Sequence, residues 1–150
     1  QKKASRDAKE GSIVSYIHPG AKLGVLLELN CETDFVANTD DFKALGNDIC
    51  MHIAATAPLS VSVDEVPESV VAKEKEIYAE QAQKSGKPEN IIEKMVEGRL
   101  KKFYQENVLL EQNFVKDPSK TVTDLITEKV SVLGENIVIN SFSRFQVGEK

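Results

Sequence analysis

Two β-rich runs stand near the start of this chain and a third stands at its end, and the stretch between them has helical spacing. Residues 12–18 carry Ile13, Val14, Tyr16 and Ile17, His18-Pro19-Gly20-Ala21 supplies turn chemistry, and residues 23–31 are apolar and β-branched again. In the second run Leu23, Val25, Leu27 and Leu29 share one face at period two, and Gly24, Leu26, Glu28 and Asn30 share the other. One face is therefore buried and the other mixed. In the last run, residues 137–147, Ile137, Ile139, Ser141, Ser143, Phe145 and Val147 alternate with Val138, Asn140, Phe142, Arg144 and Gln146, which puts apolar residues on both faces. A lone hairpin is marginal and an unpaired strand exposes a row of backbone donors and acceptors, so the three runs must join. The predicted fold class is α+β: a three-stranded antiparallel sheet with helices on one face.

Between the second and third runs the period changes. Phe42, Leu45, Ile49, His52 and Ile53 recur at steps of three and four, behind the competent N-caps Asn38, Thr39 and Asp40, and Pro58 stops that helix. Residues 58–66 read as a loop. Pro67 opens a Lys/Glu-rich helix running to Ser85-Gly86; Gly86-Lys87-Pro88 reads as a C-cap glycine followed by an N1 proline, so a second helix covers about residues 88–105. Its seam is Ile92, Val96, Leu100 and Phe103, flanked by Met95. This predicts an inserted antiparallel helical hairpin at about residues 67–106. Eight acidic and eight basic residues are interspersed along it, which is the mark of a solvated face rather than a binding stripe. Residues 107–120 read as a structured connection. Thr121 and Asp124 suit a capping box for a helix carrying Val122, Leu125, Ile126, Lys129, Val130 and Leu133, closed by Gly134. Residues 1–11 are charged and read as a linker from an upstream module, leaving 12–150 as one core domain.

Composition excludes several function classes. With 150 residues, 41% apolar and 29% charged, the chain has the mix of one globular domain. A net charge of −5 disfavours a nucleic-acid binder or a polybasic membrane-surface protein, since both draw their binding energy from a cationic footprint. No apolar run approaches the roughly 20 residues that span a bilayer, and Gln1 to Arg6 leads into polar residues rather than a signal sequence. Cys31 and Cys50 are too few for a disulfide scaffold and are expected as reduced thiols. Together with His18 and His52 they match no zinc spacing, and a buried cysteine and a core or interface histidine are the simpler readings. No phosphate-binding loop, dinucleotide fingerprint, zincin motif or nucleophile elbow is present, and Asp40-Asp41, Glu74 and Glu76 read as ordinary surface acids. The expectation is a chain with no catalytic residue, no cofactor and no metal.

One segment resists a bland reading. Cys31-Glu32-Thr33-Asp34-Phe35-Val36-Ala37 sets a large aromatic beside an acid at a strand-to-helix junction, the kind of loop that carries function. Either Phe35 packs under its own sheet while Asp34 caps the next turn, or the pair serves binding, and the two uses are compatible.

These residues resemble a known family. Asn30 to Ala37 (N-C-E-T-D-F-V-A), with Met51-His52-Ile53-Ala54-Ala55, Ser85-Gly86-Lys87-Pro88, Glu93-Lys94-Met95-Val96-Glu97-Gly98-Arg99, Pro118-Ser119-Lys120-Thr121-Val122 and Phe142-Ser143-Arg144-Phe145-Gln146-Val147-Gly148-Glu149, is similar in order and over essentially the whole chain to elongation factor Ts. The resemblance implies a guanine-nucleotide exchange factor for the GTPase elongation factor Tu, acting in polypeptide elongation without chemistry of its own. It places the family's T-D-F-V motif on Thr33, Asp34, Phe35 and Val36. In the family the equivalents of Asp34 and Phe35 intrude beside the partner's nucleotide site, where the aromatic wedges among side chains of a switch helix and disturbs magnesium coordination. Weaker partner contacts are implied for His18, Gly20, Ile49, His52, Leu133 and Gly134.

The chain departs from the family pattern where Pro19 interrupts the H-G-A-x-I-G-V-L hairpin, where Leu23 replaces its isoleucine, and where Asn47-Asp48-Ile49-Cys50 stands for the basic K-H-I-A of long members. Residues 1–10 resemble the linker that follows the family's amino-terminal three-helix module. Longer members duplicate the sheet-bearing core, and single-core members resemble pairs whose sheets pack face to face, so a homodimer through the sheet is implied here. The implied location is a bacterial cytoplasm, or an organelle matrix or stroma. The rival expectation is a non-exchanging interaction or dimerisation domain of a larger translation-associated protein; a thiol or zinc enzyme, the third, would carry bound metal.

Overall fold

The structure is a computed structural model that describes residues 3–149; Gln1 and Lys2 of the expected linker, and Lys150, lie outside the described residues. Strand β1 (Glu10–Ile17) and strand β2 (Leu23–Cys31) form the expected hairpin, with β1 beginning two residues earlier than its apolar pattern. A single helical turn α1 (Asp34–Ala37) and helix α2 (Asp40–Thr56) follow. The helical hairpin is α3 (Glu68–Gln83) and α4 (Glu89–Asn107). A small ribbon of β3 (Asn113–Phe114) and β4 (Asp117–Thr121) leads into α5 (Val122–Leu133), and β5 (Val138–Gln146) closes the chain. The main sheet has the order β1-β2-β5, antiparallel throughout.

Placing β2 at the centre explains its alternation. Leu27 and Leu29 are fully buried against Phe42, Leu45, Ile49 and Ile53 of α2, and burying each such side chain is worth about 1.5–3 kcal/mol. Gly46 lets α2 come this close: a Cβ there would lie 2.7 Å from Val14 Cγ2. The far end of α2 is tied down by Arg144, whose Nη2 and Nε donate to the Ala54 carbonyl at 3.0 and 3.3 Å. A cation at a helix C-terminus also complements the helix dipole.

The strict alternation expected along residues 137–147 fails at one point. Glu28 pairs with Ser141 but Leu29 pairs with Ile139, so Asn140 is an extra residue, a β-bulge. The bulge keeps Ile139, Phe142 and Arg144 on the helix side although their spacing is not even, and turns Val138, Ser141, Ser143 and Phe145 to the open side. Asn140 Nδ2 donates to Glu28 Oε1 at 2.8 Å across it.

The helical hairpin starts one residue later than expected on both arms. Pro67 and Pro88 are N-caps rather than N1 residues, with extended ψ of 136° and 155°, and their carbonyls accept from Val70 and Val71 and from Ile91 and Ile92. The seam of Ile92, Val96, Leu100 and Phe103 is half-buried, and α4 has no fully buried residue. The stretch read as a loop, residues 58–66, is pinned to the far end of the hairpin: Leu59 N donates to Asn107 O, Leu109 N to Ser60 O, and Leu110 N to Val61 O. At α5 both expected signals are present, the Thr121–Asp124 capping box and a left-handed Gly134 with φ 78°. Among the described residues no helix is long and apolar enough to cross a membrane.

Candidate functional site: a braced aromatic turn

Strand β2 runs into the core as Asn30 and Cys31, and the chain then reverses at Thr33. Thr33 is extended (φ −131°, ψ 153°) and its hydroxyl accepts from Val36 N at 3.3 Å, so Thr33, not Asp34, caps the turn. Asn38 closes it, with its backbone N–H and its Nδ2 both donating to Asp34 O at 3.1 and 2.9 Å. Thr39 then caps α2 by accepting from Phe42 N, while its own hydroxyl donates to Val36 O at 2.7 Å. Two back-to-back caps thus hold a turn that would have no stability alone. Val36 and Ala37 point inward and are buried, while Asp34 and Phe35 point outward, with Phe35 80% exposed. Packing of Phe35 under the sheet is excluded.

A second segment braces this turn from the other end of the chain. Gly134, in the left-handed conformation, donates its N–H to Val130 O and turns the chain out of α5. The next residue, Glu135, accepts from Glu32 N and Thr33 N through Oε1 at 3.1 and 3.0 Å, and from the Thr33 hydroxyl through Oε2 at 2.7 Å. Glu32 reciprocates by accepting from Asn136 N, and Arg6 Nη1 lies 3.7 Å from the same Glu32 oxygen. Leu133 and Gly134, half-buried, are thereby set beside the Thr33, Asp34, Phe35 and Val36 turn.

The other expected contact residues lie elsewhere. His18 and Gly20 are exposed at the opposite end of β2, a nine-residue strand that separates them from Thr33 by about 27 Å. The Tyr16 hydroxyl and His18 Nδ1 are 2.8 Å apart there. Ile49 and His52 are fully buried on the core face of α2 and present no surface of their own. His52 Nδ1 accepts from Val115 N at 3.2 Å, which leaves Nε2 to donate to Gln112 Oε1 at 2.8 Å. This is a neutral core histidine with both ring nitrogens satisfied, and burial holds its pKa below the ordinary value.

The thiols are sealed as well. Cys31 Sγ donates to Thr33 O at 3.1 Å, and burial first, then the Glu135 charge, push that thiol up. Burial pushes Cys50 up to about 11. Neither is a thiolate at neutral pH, so neither is a nucleophile. Among the described residues no three His, Cys, Asp or Glu side chains are grouped so as to hold a metal ion.

Glu32 falls within the Asn30 to Ala37 segment singled out in the sequence, but nothing local marks its pairing with the segment of Glu135. The two lie about a hundred residues apart, and Glu135 sits between Gly134, which closes α5, and the last β-rich run at residues 137–147. The nearest signal was Gly134, whose C-cap conformation fixes the direction in which Glu135 leaves α5.

The open face of the sheet is a second surface. Ile13 and Ile17 of β1, Leu26 of β2 and Phe145 of β5 all lie on it, 47–67% exposed, and no helix covers them. Single exposed apolar residues are ordinary; four on one face of one sheet form a patch.

A family model described as Elongation factor TS matches residues 1–149. Elongation factor Ts of Fervidobacterium nodosum is 58% identical over 148 residues, covering 99% of this chain and 75% of the relative. That of Caldanaerobacter subterraneus subsp. tengcongensis is 56% identical, with 99% and 74% covered, and that of Geobacter sulfurreducens is 56% identical, with 99% and 68% covered.

Proposed function

The chain belongs to the elongation factor Ts family and has a role in translation elongation; we propose that it is a guanine-nucleotide exchange factor that promotes GDP release from elongation factor Tu. The observation that carries the reading is Phe35: a large apolar ring left in water on a turn that is capped at both ends and braced from α5. A ring held this way is suited to enter a packed site on a partner. Asp34, beside it, brings a charge able to disturb the polar network of that site.

Exchange by such a wedge follows from linkage. A ligand that binds the nucleotide-poor conformer of its partner more tightly must weaken nucleotide binding by the same factor. No bond is made or broken on this chain. Each tenfold gain in release rate takes about 1.4 kcal/mol off the barrier. Truncating an interface hot spot commonly costs about 2 kcal/mol or more, so removing the Phe35 ring is expected to cost roughly thirtyfold. Leu133 and Gly134 extend the same surface, while His18 and Gly20 reach a separate part of the partner.

The open sheet face, with Ile13, Ile17, Leu26 and Phe145, is proposed to pair with the same face of a second copy, burying the patch without competing for the Phe35 turn. The bacterial relatives support a cytoplasmic location. The test is release of a fluorescent GDP analogue from elongation factor Tu. Catalytic amounts of the chain should accelerate release many-fold; binding without acceleration would contradict exchange and favour a non-exchanging interaction domain.

A further inference from the structure

The exchange reading rests on Phe35 presented by a turn that is braced from the end of α5. A one-turn helix is not self-supporting, because its nucleus fixes several dihedrals for very few hydrogen bonds. Its pose therefore depends on its end constraints. At the N-terminal end the donors are Glu32 N–H, Thr33 N–H and the Thr33 hydroxyl, and all three go to the one carboxylate of Glu135. The Thr33 hydroxyl serves twice, donating to Glu135 and accepting from Val36 N, so the brace runs directly into the turn that bears Phe35. The linkage is mutual, since Glu32 accepts from Asn136 N in the segment that carries Glu135.

We propose that Glu135 is a positioning residue for exchange: its three-donor clamp fixes the Phe35 turn and the Leu133 and Gly134 turn as one rigid surface before the partner arrives. The inference rests on the proposed role of Phe35 in exchange. Its kinetic signature differs from that of Phe35 itself. Where the binding-competent pose is populated only in part, the apparent dissociation constant rises by the inverse of that fraction, whereas the bound complex is unchanged. Losing Glu135 should raise the concentration needed for half-maximal exchange and spare the limiting release rate. Losing Phe35 should lower the limiting rate.

The experiment measures GDP-analogue release from elongation factor Tu over a range of concentrations of the full chain, for the parent, Glu135→Ala, Glu135→Gln and Phe35→Ala. Amide hydrogen exchange is followed on the free proteins. For Glu135→Ala the expected result is a half-saturating concentration raised about tenfold, a limiting rate within about twofold of the parent, and faster amide exchange at Glu32 and Thr33 but not at Phe42 of α2. Glu135→Gln keeps a carbonyl oxygen for the two amides and should recover most of the loss; if the alanine variant does not fold, the glutamine variant must still show a smaller shift of the same kind. Unchanged protection at Glu32 and Thr33, an unchanged half-saturating concentration, or equal losses in the Ala and Gln variants would overturn the positioning role while leaving Phe35 intact. If Phe35→Ala keeps the parent's limiting rate, the exchange reading of the turn fails, and this inference fails with it.

Discussion

Glu135 takes hold of Thr33 at two points, accepting its amide at 3.0 Å and its hydroxyl at 2.7 Å, although the residues are 102 positions apart in sequence. The residue that caps the Phe35 turn is thus fixed by the segment that ends α5. Thr33→Ala removes both the cap acceptor and the donor to Glu135. The expected cost is about 1–2 kcal/mol of folding stability, and Thr33→Ser should lie within about 0.5 kcal/mol of the parent. Urea unfolding of the three proteins measures it, and an equal loss in the serine variant would show that the methyl group, not the hydroxyl, matters.

The buried His52 sets a pH dependence. Its pKa is lowered on folding from an ordinary 6.5, because burial disfavours the imidazolium, so the unfolded chain binds the proton more readily. Its contribution is fully present above about pH 6.5 and declines as pH falls from there toward the lowered folded value. Thermal midpoints should drop across that window, with a shallower drop in His52→Asn. That variant should also be less stable at pH 7.5, by about 1–3 kcal/mol, since Gln112 and Val115 lose their partner. Equal slopes in the two proteins would assign the pH dependence to other groups.

Much of the fold was legible because it rests on period. The alternation of Leu23, Val25, Leu27 and Leu29, and the Phe42 to Ile53 spacing of α2, encode which faces are buried, and two strands at one end of the chain must find the third. The Asn140 bulge was not legible, since one extra residue shifts apolar groups between faces and resembles a strand that is apolar on both sides. The short β3–β4 ribbon carries too few residues to show a period. At the site the T-D-F-V segment stood out, but whether Phe35 faced in or out depended on Thr33 taking the cap. The Glu32 and Glu135 cross-brace depends on tertiary contact between segments far apart in sequence, which no local pattern records.

Self-association is tested on the open sheet face. Leu26 lies at its centre, on β2 between β1 and β5, and is exposed. Leu26→Glu sets a charge where two apolar faces would meet, while costing the protomer little, about 0.5 kcal/mol or less. Sedimentation should show a dimer for the parent at micromolar concentration and a monomer for the variant, with similar circular dichroism. A parent that is monomeric at that concentration would remove the proposed pairing.

Phe35 offers the sharpest separation of function from fold, because the residue is 80% exposed and lies outside the core. Phe35→Ala should therefore unfold within about 0.5 kcal/mol of the parent. The measurement that decides the matter is the limiting rate of GDP-analogue release from elongation factor Tu at saturating concentrations of parent and Phe35→Ala protein. The wedge role predicts a loss of roughly thirtyfold in that rate with folding stability unchanged; a variant that releases GDP as fast as the parent would contradict it.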